Sequence, residues 1–388
     1  MMLAWIDDEI SRLRQQGLYR TRRRLESGQG AELRWNKCDY VNFSSNDYLG
    51  YATDERLAHA ACRAARRYGS GAGASPLVSG YHPVLQRLER DLARWEGTEA
   101  ALVFASGYLT NLAVISALGK GGVLFSDALN HASLIDGCRL ARGTLHIYRH
   151  NDLAHLEELL RSHPGPRRLI ISDSVFSMDG DLADVPALAE LARRHEALLI
   201  LDEAHATGVL GSHGRGLSDT LAGPQPYVVK LGTLSKALAA QGGFVCATGP
   251  IIDLLINTAR PYLFATALAP TAAAAARRAI FLVQQEPQRR EQVLMLADLL
   301  RSHLRELGYD VGCSASPIVP VIVGTPEAAL ALQNRLAAQR LLVPAIRPPS
   351  VPVGTSRLRI SLSAAHTLED VDRLVAALHE ARSGLEGL

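Results

Sequence analysis

One pattern constrains this chain more than any other: from about residue 100, short apolar runs recur, each ending in small or polar residues and mostly followed by a helical pattern. The runs are Leu102–Phe104, Val123–Phe125, Leu145–Tyr148, Leu169–Ile171, Leu198–Leu201, Val228–Val229 and Phe244–Cys246. Strands that are apolar along their whole length need cover on both faces, and intervening helices supply it. The pattern therefore predicts an α/β fold built on a mainly parallel seven-stranded sheet with helices on both faces. Between Lys236 and Gly243 there is too little chain for a parallel crossover, so the Phe244 run is expected to lie antiparallel to its predecessor. Ligands in such sheets sit beyond the carboxyl ends of the parallel strands, which makes the polar residues after each run the ones to weigh.

Outside this region the periodicity changes. The first thirty residues read as an amphipathic helix, with Ile6, Ile10, Leu13 and Leu18 apolar, followed by Arg20, Arg22, Arg23 and Arg24. Beyond about residue 280, long helices (Arg289–Glu306, Thr325–Gln339) accompany strands near Ile318–Val323 and Leu358–Leu362, the pattern of a smaller α+β domain. The expected division is a helical arm over 1–45, a large domain over 46–283 and a C-terminal domain over 284–388.

Composition removes several classes of function. A net charge of +2 over 388 residues gives no whole-molecule field for nucleic acid or an anionic membrane. No uncharged apolar stretch reaches the about 18 residues of a membrane span. The five cysteines are odd in number and never form C-x-x-C, and the N-terminus is acidic where an export signal would be basic. A cytoplasmic protein with neither a disulfide framework nor a metal site is expected.

Three nucleotide or metal signatures fail on context. Asp202-Glu203-Ala204-His205 spells a helicase box, yet none of the four lysines (Lys37, Lys120, Lys230, Lys236) stands in a phosphate-loop motif. Gly69–Ala74 matches a dinucleotide fingerprint but follows a helical stretch, Glu55–Tyr68, where a strand is required. Asp179-Gly180-Asp181 lacks calcium-loop spacing and reads as a turn.

What survives is a set of residues at strand ends. Asp202 follows the Leu198 run, and a carboxylate there needs a cationic partner. Lys236 lies beyond the Val228 run in a weakly polar segment, where poor solvation frees an amine for attack on an aldehyde. Ser106-Gly107-Tyr108 opens the helical stretch Leu109–Leu118, and backbone N–H groups at a helix start hold phosphate. His131 ends the loop after Val123–Phe125. Taken singly, each has an ordinary structural reading: an Asp after a strand closes a turn, and a His fills a core or a surface. Taken in order, an anion cradle, an acid and a lysine at neighbouring strand ends are what pyridoxal phosphate requires.

Four longer segments then become informative: 42–50 (NFSSNDYLG), 175–181 (VFSMDGD), 202–208 (DEAHATG) and 345–349 (AIRPP). Together they resemble the α-oxoamine synthases over essentially the whole chain. The resemblance implies a PLP-dependent transferase of fold type I, working as a homodimer with its active site at the subunit interface. It further implies a decarboxylative condensation of L-alanine with a pimeloyl thioester carried on CoA or acyl carrier protein; a glycine-using relative is the alternative. From another class, a non-catalytic binding protein of the same fold is the competing reading. By the same resemblance Lys236 carries the cofactor, Asp202 partners the ring nitrogen, His205 bonds the ring hydroxyl, His131 stacks on the ring and Ser177 lies beside it. Gly107, Tyr108 and Thr233 serve the phosphate, with Thr266 reaching it from the other subunit. Arg359 takes the amino-acid carboxylate, Asn46 and His131 contact substrate, and Arg20 and Ser350 face the acyl group, with Arg22 and Arg23 as alternatives in that crowded register.

Overall fold

The computed structural model describes residues 3–16 and 18–382; Met1, Met2, Gly17 and 383–388, which belong to the expected first and last domains, lie outside the described residues. Helix α1 (Ala4–Gln15) buries none of its side chains, and Leu18 falls beyond its end. Strands β1 (Glu32–Trp35) and β2 (Cys38–Asn42) then form an antiparallel hairpin. The arm over 1–45 is thus helical only in part. Helix α2 (Glu55–Tyr68) starts where the Asp54 carboxylate accepts the Arg56 N–H and stops at Gly69 with φ 82°. Helix α3 (Pro83–Glu96) leads into the main sheet.

That sheet is built from β3 (Ala100–Phe104), β4 (Val123–Asp127), β5 (Thr144–Tyr148), β6 (Arg168–Asp173), β7 (Leu198–Asp202), β8 (Val228–Thr233) and β9 (Gly243–Ala247), in the order β3-β9-β8-β7-β6-β4-β5. Strands β5, β4, β6, β7 and β8 run parallel, and β9 is antiparallel to both β8 and β3. All seven apolar runs lie in it, and the Phe244 strand has the antiparallel sense its short connection requires. Leu124, Ile171, Ile200 and Val229 are fully buried at its centre, each contributing about 1.5–3 kcal/mol of apolar burial. The helices between the strands are α4 (Gly107–Leu118), α5 (Ala132–Ala141), α6 (Leu153–Ser162) and α7 (Val185–Arg194).

After β9 come α8 (Gly249–Thr258), α9 (Arg260–Leu263) and α10 (Pro270–Gln285), the last packed on α2 and α3. The remaining chain forms α11 (Pro287–Glu306), β10 (Ile318–Gly324), α12 (Pro326–Ala338), β11 (Leu341–Leu342), β12 (Ala345–Ile346), β13 (Ser356–Ser361) and α13 (Leu368–Arg382). Here β10, β13 and β12 make a small antiparallel sheet, while β11 pairs in parallel with β2 and so ties the arm to the C-terminal region.

Two features of this layout position the site. Strands β4, β6 and β7 run past their apolar stretches to end in Asp127, Asp173 and Asp202. The loop after β6 turns at Gly180 (φ 69°), where a Cβ would collide with the Ile318 carbonyl. From β13, Arg357 pairs with Asp179 and Arg359 Nε donates to the Ser177 carbonyl, so the small sheet holds that loop from one side. Among the described residues no helix is long and apolar enough to cross a membrane.

Candidate active site

Beyond the carboxyl ends of β6, β7 and β8 lies a cavity of ≈ 240 Å³ lined by Gly107, Tyr108, His131, Asp202, His205, Thr233 and Lys236, all singled out by the sequence, together with Asn111, Ser133 and Asp173, which were not. Lys236 reaches it from the loop that follows β8. That loop is closed by the Leu234 N–H donating to the Gly242 carbonyl (3.0 Å) and by the Ser235 N–H donating to Thr233 Oγ1 (3.1 Å). The Lys236 Nζ lies 2.8 Å from His205 Nε2. Burial pushes the amine from 10.5 down to about 8, against the opposing pull of Asp202 and Asp173 and with a further push from Arg359.

His205 is itself buried, and burial with the nearby Lys236 and Arg359 charges holds its imidazole well below the usual range. A neutral ring has one donor and one acceptor. With the ammonium donating to Nε2, Nδ1–H faces the Tyr48 oxygen at 2.6 Å, and the Tyr48 hydroxyl turns to Asn46 Oδ1 at 3.2 Å. Asn46 Oδ1 also accepts from Arg359 Nη2 at 3.2 Å. A continuous chain of hydrogen bonds therefore runs from Lys236 through His205, Tyr48 and Asn46 to Arg359.

Asp202 is buried at the end of β7. Its Oδ1 accepts the Ala204 N–H at 2.8 Å and its Oδ2 the Asn111 amide at 2.6 Å. Asp173 sits opposite Asp202 in the β6–β7 register and accepts the His131 N–H at 2.7 Å. Burial first, then the neighbouring Asp202 charge, raises the Asp173 carboxyl well above the ordinary range. His131 caps α5, and burial lowers its pKa.

The other end of the cavity suits an anion. Ser106 caps α4, its Oγ accepting the Leu109 N–H at 3.2 Å, so the N–H groups of Gly107 and Tyr108 have no acceptor within the helix. A Cβ on Gly107 would stand 3.3 Å from Thr233, and one on Gly243 would stand 2.5 Å from the Gly107 Cα. Glycine at both positions keeps this corner open for close backbone approach.

The remaining expected residues fall outside the cavity. Ser177 meets Arg359 through its carbonyl, and Asn46 meets the same guanidinium, so these three converge beside the cavity wall. Thr266 is exposed, beyond α9, and lines no part of its own chain's cavity. Arg20 and Ser350 share a second, smaller cavity of ≈ 210 Å³ with Leu18, Ala345, Ile346, Arg347 and Pro348. Arg23 is turned elsewhere, its guanidinium 5.1 Å from the Trp35 ring centre.

Comparison with known proteins places the chain in a family. The family of class I and II aminotransferases matches residues 38–378. The 8-amino-7-oxononanoate synthase of Geobacter sulfurreducens is 47% identical over 99% of both chains. A high-resolution structure of SPT with PLP superposes with a TM-score of 0.92 at 29% identity, covering 100% of this chain and 99% of that one. The 8-amino-7-oxononanoate synthase of Francisella tularensis gives 0.79 at 26% identity, over 90% of this chain and 99% of the other.

Proposed function

Since the chain belongs to the α-oxoamine synthases of the class I and II aminotransferase family, we propose that it is an 8-amino-7-oxononanoate synthase of biotin biosynthesis, an acyltransferase that joins L-alanine to the acyl group of a pimeloyl thioester with release of the free thiol carrier and carbon dioxide. The observation that carries this reading is the single cavity in which an amine lowered to about 8 stands with a buried carboxylate and an open helix N-terminus. That donor set fits pyridoxal phosphate: Lys236 to carry it, Asp202 for the ring nitrogen, and Gly107, Tyr108 and Thr233 for the phosphate. When bound, the cofactor supplies an electron sink for the carbanion at the amino acid's Cα.

The chain's own residues do the rest. Lys236 would take the Cα proton on Nζ when its amine is free, and its lowered pKa keeps a usable fraction of neutral amine at pH 7. Arg359, held by Asn46 and the Ser177 carbonyl, offers a planar donor to the amino-acid carboxylate. His131 is the donor for the proton that returns to Cα after carbon dioxide leaves. Leu18 and Ile346 wall the methylene chain, and Arg20 with Ser350 meets its distal end. The working unit is a cytoplasmic homodimer, with Thr266 serving the phosphate of the other copy. The large domain, 46–283, carries the cofactor, and the arm and C-terminal domain supply Arg20, Ser350 and Arg359 to the substrates.

Product identification by mass spectrometry, with alanine, glycine and serine offered against pimeloyl, succinyl and acetyl thioesters, tests the reading. Alanine with the pimeloyl donor gives the dominant product; turnover confined to glycine overturns it.

A further inference from the structure

Nothing in the expected chemistry calls for Asn111 or Ser133, yet both are buried in the cavity wall and hydrogen-bonded end to end. Asn111 spends its amide nitrogen twice, donating to Asp202 Oδ2 at 2.6 Å and to Ser133 Oγ at 2.8 Å. The orientation of that amide follows from its neighbour, because an amide oxygen at that distance from a carboxylate oxygen would be repelled. Ser133 Oγ therefore accepts from Asn111, and its own hydrogen points to His131 Nδ1, 2.7 Å away. The Ser133 backbone N–H faces the same nitrogen at 3.3 Å. Two donors converge on Nδ1, so that nitrogen carries a lone pair and no proton. The neutral imidazole must then hold its hydrogen on Nε2, the nitrogen left for a bound molecule.

We propose that Asn111 and Ser133 form a positioning relay that joins Asp202 to His131 and fixes His131 as the Nε2–H tautomer, so that it meets the substrates as a proton donor. The role of donor rests on the synthase reading above; the tautomer does not. The relay is possible because α4 and α5 approach closely at Gly137, where a Cβ would stand 3.0 Å from Ile115 Cβ and 3.1 Å from the Asn111 carbonyl. It also links two groups of the site: one side chain, Asn111, holds the Asp202 carboxylate and, through the Ser133 hydroxyl, orients the His131 imidazole.

Other titratable groups face His131 and set the background: Asp173 from β6, Asp202 from the end of β7 and His205 just beyond it, Lys236 from the loop after β8, and Tyr108 from α4 with its ring centre 6.3 Å away. None of these bonds to Nδ1, so none duplicates the relay.

The tautomer is read from nitrogen-15 spectra of histidine-labelled, cofactor-free protein, with the His131 signal identified by its loss in His131→Gln. Wild type shows Nδ1 unprotonated and Nε2 protonated. Ser133→Ala shows a mixture of tautomers and takes up the second ring proton at higher pH, because one of the two donors on Nδ1 is gone. Ser133→Thr, which keeps the hydroxyl, restores the wild-type signal. Asn111→Ala changes His131 in the same way and also weakens retention of pyridoxal phosphate by roughly tenfold, the loss of one charge-assisted bond to Asp202. Ser133→Ala leaves that retention within about twofold, since Asp202 keeps Asn111. A wild-type ring protonated on Nδ1, or a His131 signal in Ser133→Ala identical to wild type, overturns the proposal. Because the spectra need neither cofactor nor substrate, a failure of the alanine and pimeloyl assignment would show in the product assay and leave this result standing.

Discussion

The Lys236 amine, lowered from 10.5 to about 8, allows a test of sign as well as size. At pH 7 a group with pKa 8 is about 9% neutral, against about 0.03% for one at 10.5, so the pocket multiplies the reactive amine by about 300-fold. Burial is the largest cause, and the two nearest acids oppose it while Arg359 adds to it. Asp202→Asn removes an opposing charge and should move the midpoint below that of the wild type; Arg359→Gln removes a supporting charge and should move it above. With only four lysines in the chain, trace acetylation of cofactor-free protein between pH 6 and 11, followed by peptide mass spectrometry, resolves Lys236 alone. A wild-type midpoint near 10.5, or an upward movement in Asp202→Asn, would show that the surroundings of this amine have been misread.

Further expectations follow from other contacts. His150 bridges Asp127 Oδ1 at 2.9 Å and Asp181 Oδ2 at 2.8 Å. Burial opposes its charge, but the two carboxylates outweigh it and push the imidazole up to about 10. Because the folded value lies above the unfolded one, this stabilisation is complete below about pH 6.5 and fades as pH rises through about 10. His150→Gln should cost roughly 2–4 kcal/mol in urea unfolding at pH 6 after allowance for screening, and little at pH 10.5; an equal loss at both pH values counts against the bridge. Arg20→Ala should raise KM for pimeloyl-CoA roughly ten- to a hundredfold, about 1.5–3 kcal/mol for a charge-assisted bond, with little change for alanine. Equal losses with the free acid and its methyl ester would mean that Arg20 acts by folding the arm. Thr266→Ala should weaken retention of pyridoxal phosphate in the dimer, and full activity in a demonstrably monomeric preparation would contradict a shared site.

What could be read in the sequence tracks how local its cause is. The seven strands announce themselves because full burial forces unbroken apolar runs, and the short Lys236–Gly243 connection fixes the sense of β9 by chain length alone. Asp202 is legible because it follows its run directly, the α4 start because a small-residue turn opens a helical pattern, and Lys236 because it is one of only four lysines and lies in a weakly polar segment. Asn111 and Tyr48 are not, since their partners Asp202 and His205 lie 91 and 157 residues away and only the finished sheet brings them together. Asp173 went unnoticed because Ser172 separates it from the apolar run, although β6 includes both. The β1–β2 hairpin escaped for a different reason: Asn36 and Lys37 occupy positive φ of 49° and 60° without the glycine that usually marks such a turn. Its pairing with β11 spans most of the chain.

The proposed acyl end shows the same limit from the other side. Four arginines within five positions look interchangeable as a sequence, because charge and spacing are all that a sequence offers there. Folding separates them by what each side chain lies against. Arg23 stands over Trp35, whereas Arg20 shares a cavity with Leu18, Ile346 and Ser350. A distal carboxylate at the end of an apolar chain needs a guanidinium beside an apolar wall, and of those two arginines only Arg20 lines the cavity that provides one. The choice between them is therefore made by the partners that the C-terminal domain brings to the arm, over a separation of more than three hundred residues that no local pattern encodes.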